Sequence, residues 1–302
     1  MFTVAALYKF TPFAEPAALR AGLLARCQAE GVKGTLLLAR EGINGTIAGT
    51  RAGVDAVLAH IRTMPGCDDF DCKESAAAEI PFGRMKVRLK REIVTMGEPD
   101  VDPLAGAGHY VDPADWNELI TAPDVVVIDT RNDYEVAIGT FESAVDPGTR
   151  SFREFPAWWR KNAERFGNKR IAMFCTGGIR CEKSTNLLLN EGVSEVYHLK
   201  SGILKYLEEV PEADSKWQGA CFVFDQRVAV GHGLSVSGHR MCHACRRPLS
   251  PGDLGHPDYE EGVRCPRCKD EYTDPERQRF RERQRQMELA KRAGLRHLGQ
   301  LF

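Results

Sequence analysis

The chain has 302 residues, of which 43% are hydrophobic and 27% charged, with a formal net charge of −1. These fractions fit a globular protein of two or three domains with no global electrostatic footprint for nucleic acid, although a balanced total can hide a local patch. No apolar run approaches the roughly 20 residues of a membrane span. The start, Met1–Leu7, lacks the basic segment of a signal peptide. A cytoplasmic location with no membrane partner is therefore expected. The ten cysteines are then thiols, metal ligands or catalysts, not a disulfide framework.

Residues 1 to about 97 read as a small α+β domain. Val4–Phe10 suits a strand, Pro16–Ala29 a helix through Leu19, Leu23 and Leu24, and Lys33–Arg40 a second strand. Turn residues from Glu41 to Gly45 lead into Thr46–Ala48. Thr50 suits the N-cap of a helix that buries Val54, Val57, Leu58 and Ile61. The basic, alternating segment Met85–Val94 closes the domain. The order β-α-β-β-α-β is the ferredoxin-like arrangement. Such a sheet can offer an open face to RNA or be purely structural. Glu98–Gly108, rich in Pro, Asp and Gly, reads as a linker.

From about His109 to Gln218 strands alternate with helices, which predicts an α/β domain with a mainly parallel sheet. The apolar strand Val125–Ile128 ends in Asp129-Thr130-Arg131. Asp129 and Arg131 either brace a neighbouring loop, the preferred reading, or face substrate, and both are carried as candidate substrate-site residues. Phe152–Arg160 is dense in aromatic and basic residues. It is either a core-packing helix or a platform for a stacked base.

The most informative stretch follows the buried strand Arg170–Phe174. Cys175-Thr176-Gly177-Gly178-Ile179-Arg180 runs into Cys181-Glu182-Lys183-Ser184 and a helix through Leu187, Leu188 and Leu189. A cysteine between a strand end and a helix start receives backbone N–H groups and the positive end of the helix. Its pKa should fall below the free value of roughly 8.5. Gly177 and Gly178 let the loop curl with positive φ. The rim becomes a nest of donors for an anion, and Arg180 adds a fixed charge. Cys175 is thus the candidate catalytic nucleophile, with Thr176, Gly177, Gly178, Ile179 and Arg180 as candidate substrate-binding residues. Cys181 is either a resolving thiol or a small packed side chain.

Residues 219–302 begin with a strand pair, Phe222–Asp225 and Val228–Val230. Then come Cys242-His243-Ala244-Cys245 and Cys265-Pro266-Arg267-Cys268. The spacing is that of a four-cysteine structural zinc site, Cys242, Cys245, Cys265 and Cys268, with no position left for a substrate water. Metal binding would supply much of the folding energy of so small a segment. The tail Pro275–Gly294 sets seven basic side chains against three acidic ones. It reads as a solvated, ion-paired helix or as a phosphate-contacting arm, with the arginine bias favouring RNA.

The cysteine loop and the Asp-x-Arg strand end resemble the rhodanese superfamily. The chain departs from the common rhodanese pattern after Glu135, where Ile138-Gly139-Thr140-Phe141 replaces a Gly-His-Ile turn. Wider segments carry a second, nearly full-length resemblance. They are Glu41–Thr46, Lys90–Val94, Ile128–Asn132, Ile138–Phe141, Phe152–Pro156, Cys175–Ser184 and Cys221–Asp225. Together they resemble the bacterial rhodanese-domain tRNA uridine-5-hydroxylases. The resemblance implies oxidation of the wobble uridine, position 34, to 5-hydroxyuridine, with molecular oxygen as co-substrate and the anticodon region of tRNA as partner. The residues show no two-histidine, one-carboxylate iron triad and no dinucleotide fingerprint, so neither flavin nor nicotinamide is expected. Two alternatives stay open: a sulfurtransferase carrying a persulfide on Cys175, and a non-catalytic RNA-binding redox sensor.

Overall fold

The computed structural model describes residues 1–294. Its first unit comprises β1 (Phe2–Phe10), α1 (Pro16–Ala29), β2 (Lys33–Ala39), β3 (Gly42–Gly49), α2 (Arg51–Arg62), β4 (Asp71–Ala77) and β5 (Met85–Leu89). The sheet order is β4-β1-β3-β2-β5. The first four strands pair antiparallel in the ferredoxin-like order, and β5 runs parallel to β2. The two-residue period of a strand divides the sheet into two faces. Ala5, Leu7, Leu36, Leu38, Ile43 and Ile47 pack against Leu23, Val54, Val57 and Ile61 of the two helices. Thr50 caps α2, its Oγ1 accepting the Gly53 N–H at 3.1 Å.

One strand differs from the sequence-based expectation. The fourth ferredoxin strand is β4, and β5 is an additional edge that ends at Leu89, short of Val94. β4 reads Asp-Cys-Lys-Glu-Ser-Ala-Ala, without apolar alternation. It is an edge strand whose face away from the helices meets polar groups of the second unit. The segment 98–108 is held down rather than free. Asp102 N–H donates to Asn186 Oδ1 at 3.1 Å, Asn186 Nδ2 to Gly106 O at 2.6 Å, and Gly108 N–H to Thr185 Oγ1 at 2.9 Å.

The second unit contains β6 (His109–Val111), α3 (Pro113–Thr121), β7 (Val125–Asp129), α4 (Asp133–Val136), β8 (Gly139–Phe141), α5 (Phe155–Asn162), β9 (Arg170–Phe174), α6 (Ile179–Asn190), β10 (Val196–Leu199) and α7 (Gly202–Glu209). The sheet β6-β10-β9-β7 is parallel throughout. Trp116, Ile203, Tyr206 and Leu207 cover one face; Phe155, Trp159, Leu187 and Leu188 cover the other. Three of the four aromatic residues of the segment Phe152–Arg160, namely Phe152, Phe155 and Trp159, are therefore core. β11 (Trp217–Gly219) pairs with β8, and β12 (Cys221–Phe222) with β13 (Ala229–Val230). A small terminal module holds β14 (Arg240–Met241), β15 (Pro248–Leu249), α8 (Pro251–Leu254) and α9 (Asp274–Arg292). Among the described residues no helix is long and apolar enough to cross a membrane.

Parallel strands all end at one edge, where open α/β sheets bind ligands. Here the first unit lies across that edge. Lys183 of α6 is 2% exposed and makes ion pairs with Glu41 at 2.8 Å and Glu92 at 2.7 Å, both from the first unit. Its ammonium also donates to Val94 O at 3.0 Å. Three acceptors match its three protons, which is what a buried ammonium requires. Lys183→Met should lower stability by about 3 kcal/mol in urea unfolding, because two carboxylates lose their counter-ion.

Candidate active site

β9 is buried along Ile171–Phe174 and delivers Cys175 to the carboxyl edge of the sheet. The loop turns at Gly178, where φ is +97° and an added Cβ would lie 3.0 Å from Tyr8 Oη. Gly202, with φ of +68°, lets α7 pass close beneath: a Cβ there would sit 2.5 Å from Cys175 O. Gly177, expected to share the positive φ, does not have it. Its carbonyl instead accepts from Lys73 Nζ of β4 at 3.0 Å.

The sulfur is surrounded by donors. Gly178 N–H points at Cys175 Sγ from 3.1 Å. Burial opposes ionisation of Cys175, but the Cys181 thiol, the Arg180 guanidinium and the first N–H groups of α6 outweigh it and bring the pKa down to about 5. Burial and the adjacent Cys175 push the Cys181 thiol the other way. Cys181 thus stays protonated behind Cys175, 3.7 Å from Thr130 Oγ1.

Arg180 acts through the interior. Its terminal nitrogens bind Glu135 at 2.7 and 2.8 Å, and Nη2 also reaches Thr176 Oγ1 at 3.2 Å. Burial would raise the Glu135 carboxyl, yet Arg180 and Arg131 hold it below the usual carboxylate range. The guanidinium supplies field to the sulfur with no terminal nitrogen left unengaged. Asp129 and Arg131 require a correction as candidate substrate contacts. Both side chains are fully buried and off the cavity wall. Arg131 Nε and Nη2 bind the Asp129 oxygens at 2.9 and 2.7 Å, and Nη2 also donates to Gly139 O at 2.5 Å. Thr140 Oγ1 donates to Asp129 Oδ2 at 2.9 Å. The segment 138–141, where the chain departs from common rhodaneses, therefore completes this brace.

Above the loop lies a cavity of about 420 Å³, within the range of small-ligand sites. Cys175, Thr176, Gly177, Ile179 and Arg180 line it, while Gly178 does not. Its roof is the helix-free face of the first sheet. Strand register places Thr35, Thr46, Ala6 and Lys73 in one cross-sheet row and Leu37, Asn44 and Tyr8 in the next, and all seven line the cavity. Lys73 also pairs with Asp71. Tyr8 Oη donates to Glu182 Oε1 at 2.7 Å. Phe152 and Asn132 close one side, so Phe152 alone of the buried Phe152, Phe155 and Trp159 reaches the cavity. Val223–Arg227 supplies another wall, with Arg227 tied to Asp225 and Ser75. Phe152 belongs to the segment read from sequence as either core or a stacking platform, and the sheet face is read as either structural or open to RNA, but the individual roof residues escaped the sequence reading. The signal that could have found them is the small and polar alternation along β1 and β3, opposite the helix-facing apolar set.

The four cysteines of the terminal module also come together. Their sulfurs all lie within 4.8 Å of one another, and the cluster can hold a metal ion. α9 clasps this module. Arg283 donates to His243 O and Gly262 O, both at 2.9 Å; Arg281 pairs with Glu260 at 2.6 Å; Arg277 binds Lys269 O. Three of the arginines expected to favour RNA are thus occupied within the module.

Two family models match: an UPF0176 acylphosphatase-like domain over residues 2–93 and a rhodanese-like domain over residues 112–209. A tRNA uridine(34) hydroxylase of Ruegeria pomeroyi is 67% identical, covering 99% of both chains. The chain belongs to the tRNA uridine(34) hydroxylase family. Members from Gluconobacter oxydans and Caulobacter vibrioides are 62% and 57% identical, covering 98% and 99% of this chain and 96% of each relative. Membership joins the two matched domains in a single chain, as does the cavity between them.

Peptide-resolved alkylation by iodoacetamide should show Cys175 half-reactive near pH 5, where ordinary thiols are protonated and inert. In Arg180→Gln the half-point should climb toward the ordinary value of roughly 8.5.

Proposed function

We propose that this chain hydroxylates C5 of uridine 34 in tRNA, with molecular oxygen as co-substrate and Cys175 as nucleophile. The anticodon region would be the part of tRNA that enters the site, and the setting the cytoplasm. One observation carries the reading: a cysteine whose sulfur receives the Gly178 N–H at a helix start faces a cavity of about 420 Å³, large enough for a nucleotide and walled by a second domain. A thiolate is the form that attacks an electron-poor carbon. Addition to C6 forms the S–C6 bond and moves the C5=C6 electron pair toward C5 and O4. Oxygen then bonds to C5. One of its atoms stays there, and the other leaves as water, taking up an electron pair and two protons from a reductant of the thiol class. Loss of the C5 proton and departure of the sulfur restore the C5=C6 bond. The Gly178 N–H and the start of α6 hold the sulfur charged at the beginning and end of this cycle.

Nucleoside mass spectrometry on tRNA from cells whose sole copy carries Cys175→Ser tests the assignment. Oxygen-dependent 5-hydroxyuridine should fall to background, whereas wild-type levels would remove Cys175 from the reaction.

We further read the cysteine cluster as a structural zinc site. A Zn–S bond of about 2.3 Å in a tetrahedron sets sulfurs ~3.8 Å apart. The separations Cys242–Cys268, Cys245–Cys265 and Cys265–Cys268 are 4.0, 3.8 and 3.5 Å. An all-sulfur donor set suits a soft, tetrahedral ion. Cys265→Ser should purify with substoichiometric zinc by elemental analysis and show proteolytic cleavage within residues 240–290, because the metal supplies the module's folding energy.

A further inference from the structure

The candidate site is deep, and the chain's net charge offers no general attraction to a polyanion. Cations are nonetheless concentrated at one place beside the cavity. Residues 84–91 read Arg-Met-Lys-Val-Arg-Leu-Lys-Arg, five bases and no acid. Arg84, Arg88, Lys90 and Arg91 are exposed and Lys86 is half-buried. Elsewhere most arginines are spent: Arg51, Arg160, Arg170, Arg227 and Arg281 all pair with carboxylates. Among the described residues none of the five bases of the 84–91 segment has such a partner, and the nearby Glu41 and Glu92 are taken by Lys183.

Register fixes where this charge lies. Lys86 is the β2 neighbour of Thr35 and Arg88 that of Leu37. Thr35 and Leu37 are in the two cavity-lining rows, so Lys86 and Arg88 extend those rows, on the same face, to the sheet edge. Phe82 before the strand and Val94 and Thr95 after it line the cavity themselves. The basic strand is therefore a rim of the cavity. Alternate residues recur every ~6.6 Å along a parallel strand, a spacing comparable to that of phosphates in an unstacked strand.

We propose that the edge formed by Arg84, Lys86, Arg88, Lys90 and Arg91 is the phosphate-binding surface that seats the RNA strand flanking the target nucleotide. This rests on the tRNA reading of the site above. The partner chemistry is a single-stranded polyanion, held without regard to base. Contacts of this kind set register and affinity, while the cavity reads the base.

Fluorescence anisotropy with a labelled anticodon stem-loop and the full chain, across a salt series, tests the proposal. The triple variant Arg84→Gln/Lys86→Gln/Arg88→Gln should bind at least tenfold more weakly near 0.1 M salt, with the log–log salt slope smaller by about 2. The loss should be equal for stem-loops with uridine or cytidine at position 34. The charge-preserving Arg84→Lys/Lys86→Arg/Arg88→Lys should keep affinity and slope, and matched thermal melts would exclude misfolding. Wild-type affinity and slope in the glutamine triple would overturn the proposal. So would transfer of the loss to Arg279→Gln/Arg285→Gln/Lys291→Gln in α9. A wild-type chain that binds through this edge yet forms no 5-hydroxyuridine in cells would refute the hydroxylase reading and leave the edge standing.

Discussion

The arrangement depends on one buried ammonium. Lys183 projects from the helix that starts at the cysteine loop, and its acceptors, Glu41, Glu92 and Val94, all belong to the first unit. An unpaired charge so placed would cost several kcal/mol, so the two units must meet in one geometry for the helix to be tolerated. Lys73 reinforces this from the opposite side by donating to the Gly177 carbonyl, and Ser201 by donating to Asp71 at 2.7 Å. The loop that carries Cys175 is therefore positioned by its own domain from below and by the other domain from above. A rhodanese-like loop alone would be an open anion site. Covered in this way it becomes the floor of a cavity roofed by the other domain.

The cavity's electrostatics come from charges that are already paired. Arg180 and Glu135 neutralise one another, and Asp129 and Arg131 do the same one layer deeper. What reaches the sulfur is a set of oriented N–H groups plus a guanidinium whose hydrogen bonds are already committed. Such a field needs no rearrangement when charge moves from sulfur to substrate, which is the condition under which dipoles stabilise a reacting anion well. It also leaves each guanidinium on the cavity wall, Arg180 and Arg227, neutralised by a carboxylate, so that the wall does not favour a small inorganic anion over a neutral base. Among the described residues Lys73 is the one ammonium on that wall, and Asp71 pairs with it.

Local chemistry made the cysteine loop, the zinc-type spacing and the order of helices and strands legible in the sequence. Cys175 at a strand end before a helix, the paired Cys-x-x-Cys turns and Thr50 ahead of an apolar helical stripe each carry their meaning within a few residues. The cavity roof was illegible because it is a property of pairing. Thr35, Thr46, Ala6 and Lys73 come from four strands and converge only through register. β4 was missed because an edge strand facing a polar partner has no apolar alternation to display. The arginine-rich tail was over-read for RNA because a sequence shows charge but not the carbonyls and carboxylates that consume it. Arg277, Arg281 and Arg283 hold a module together, whereas the bases around β5 (Met85–Leu89), though fewer, remain unpaired.

A roofed cavity also constrains the substrate. Chemistry at C5 and C6 of a pyrimidine beneath a roof requires a nucleotide turned out of its stack, and enzymes that act on bases meet an unstacking cost of a few kcal/mol to achieve this. The cost is smallest for an unpaired nucleotide in a loop, where position 34 lies. In the proposed reaction a flipped base would occupy the cavity while its neighbours stay outside, so the backbone would cross the rim. On the β2 side that rim is the basic edge strand. The deep thiolate and the shallow cationic edge are then two ends of one requirement: the reactive atom needs exclusion from water, and the polyanion that delivers it needs contact with charge in water.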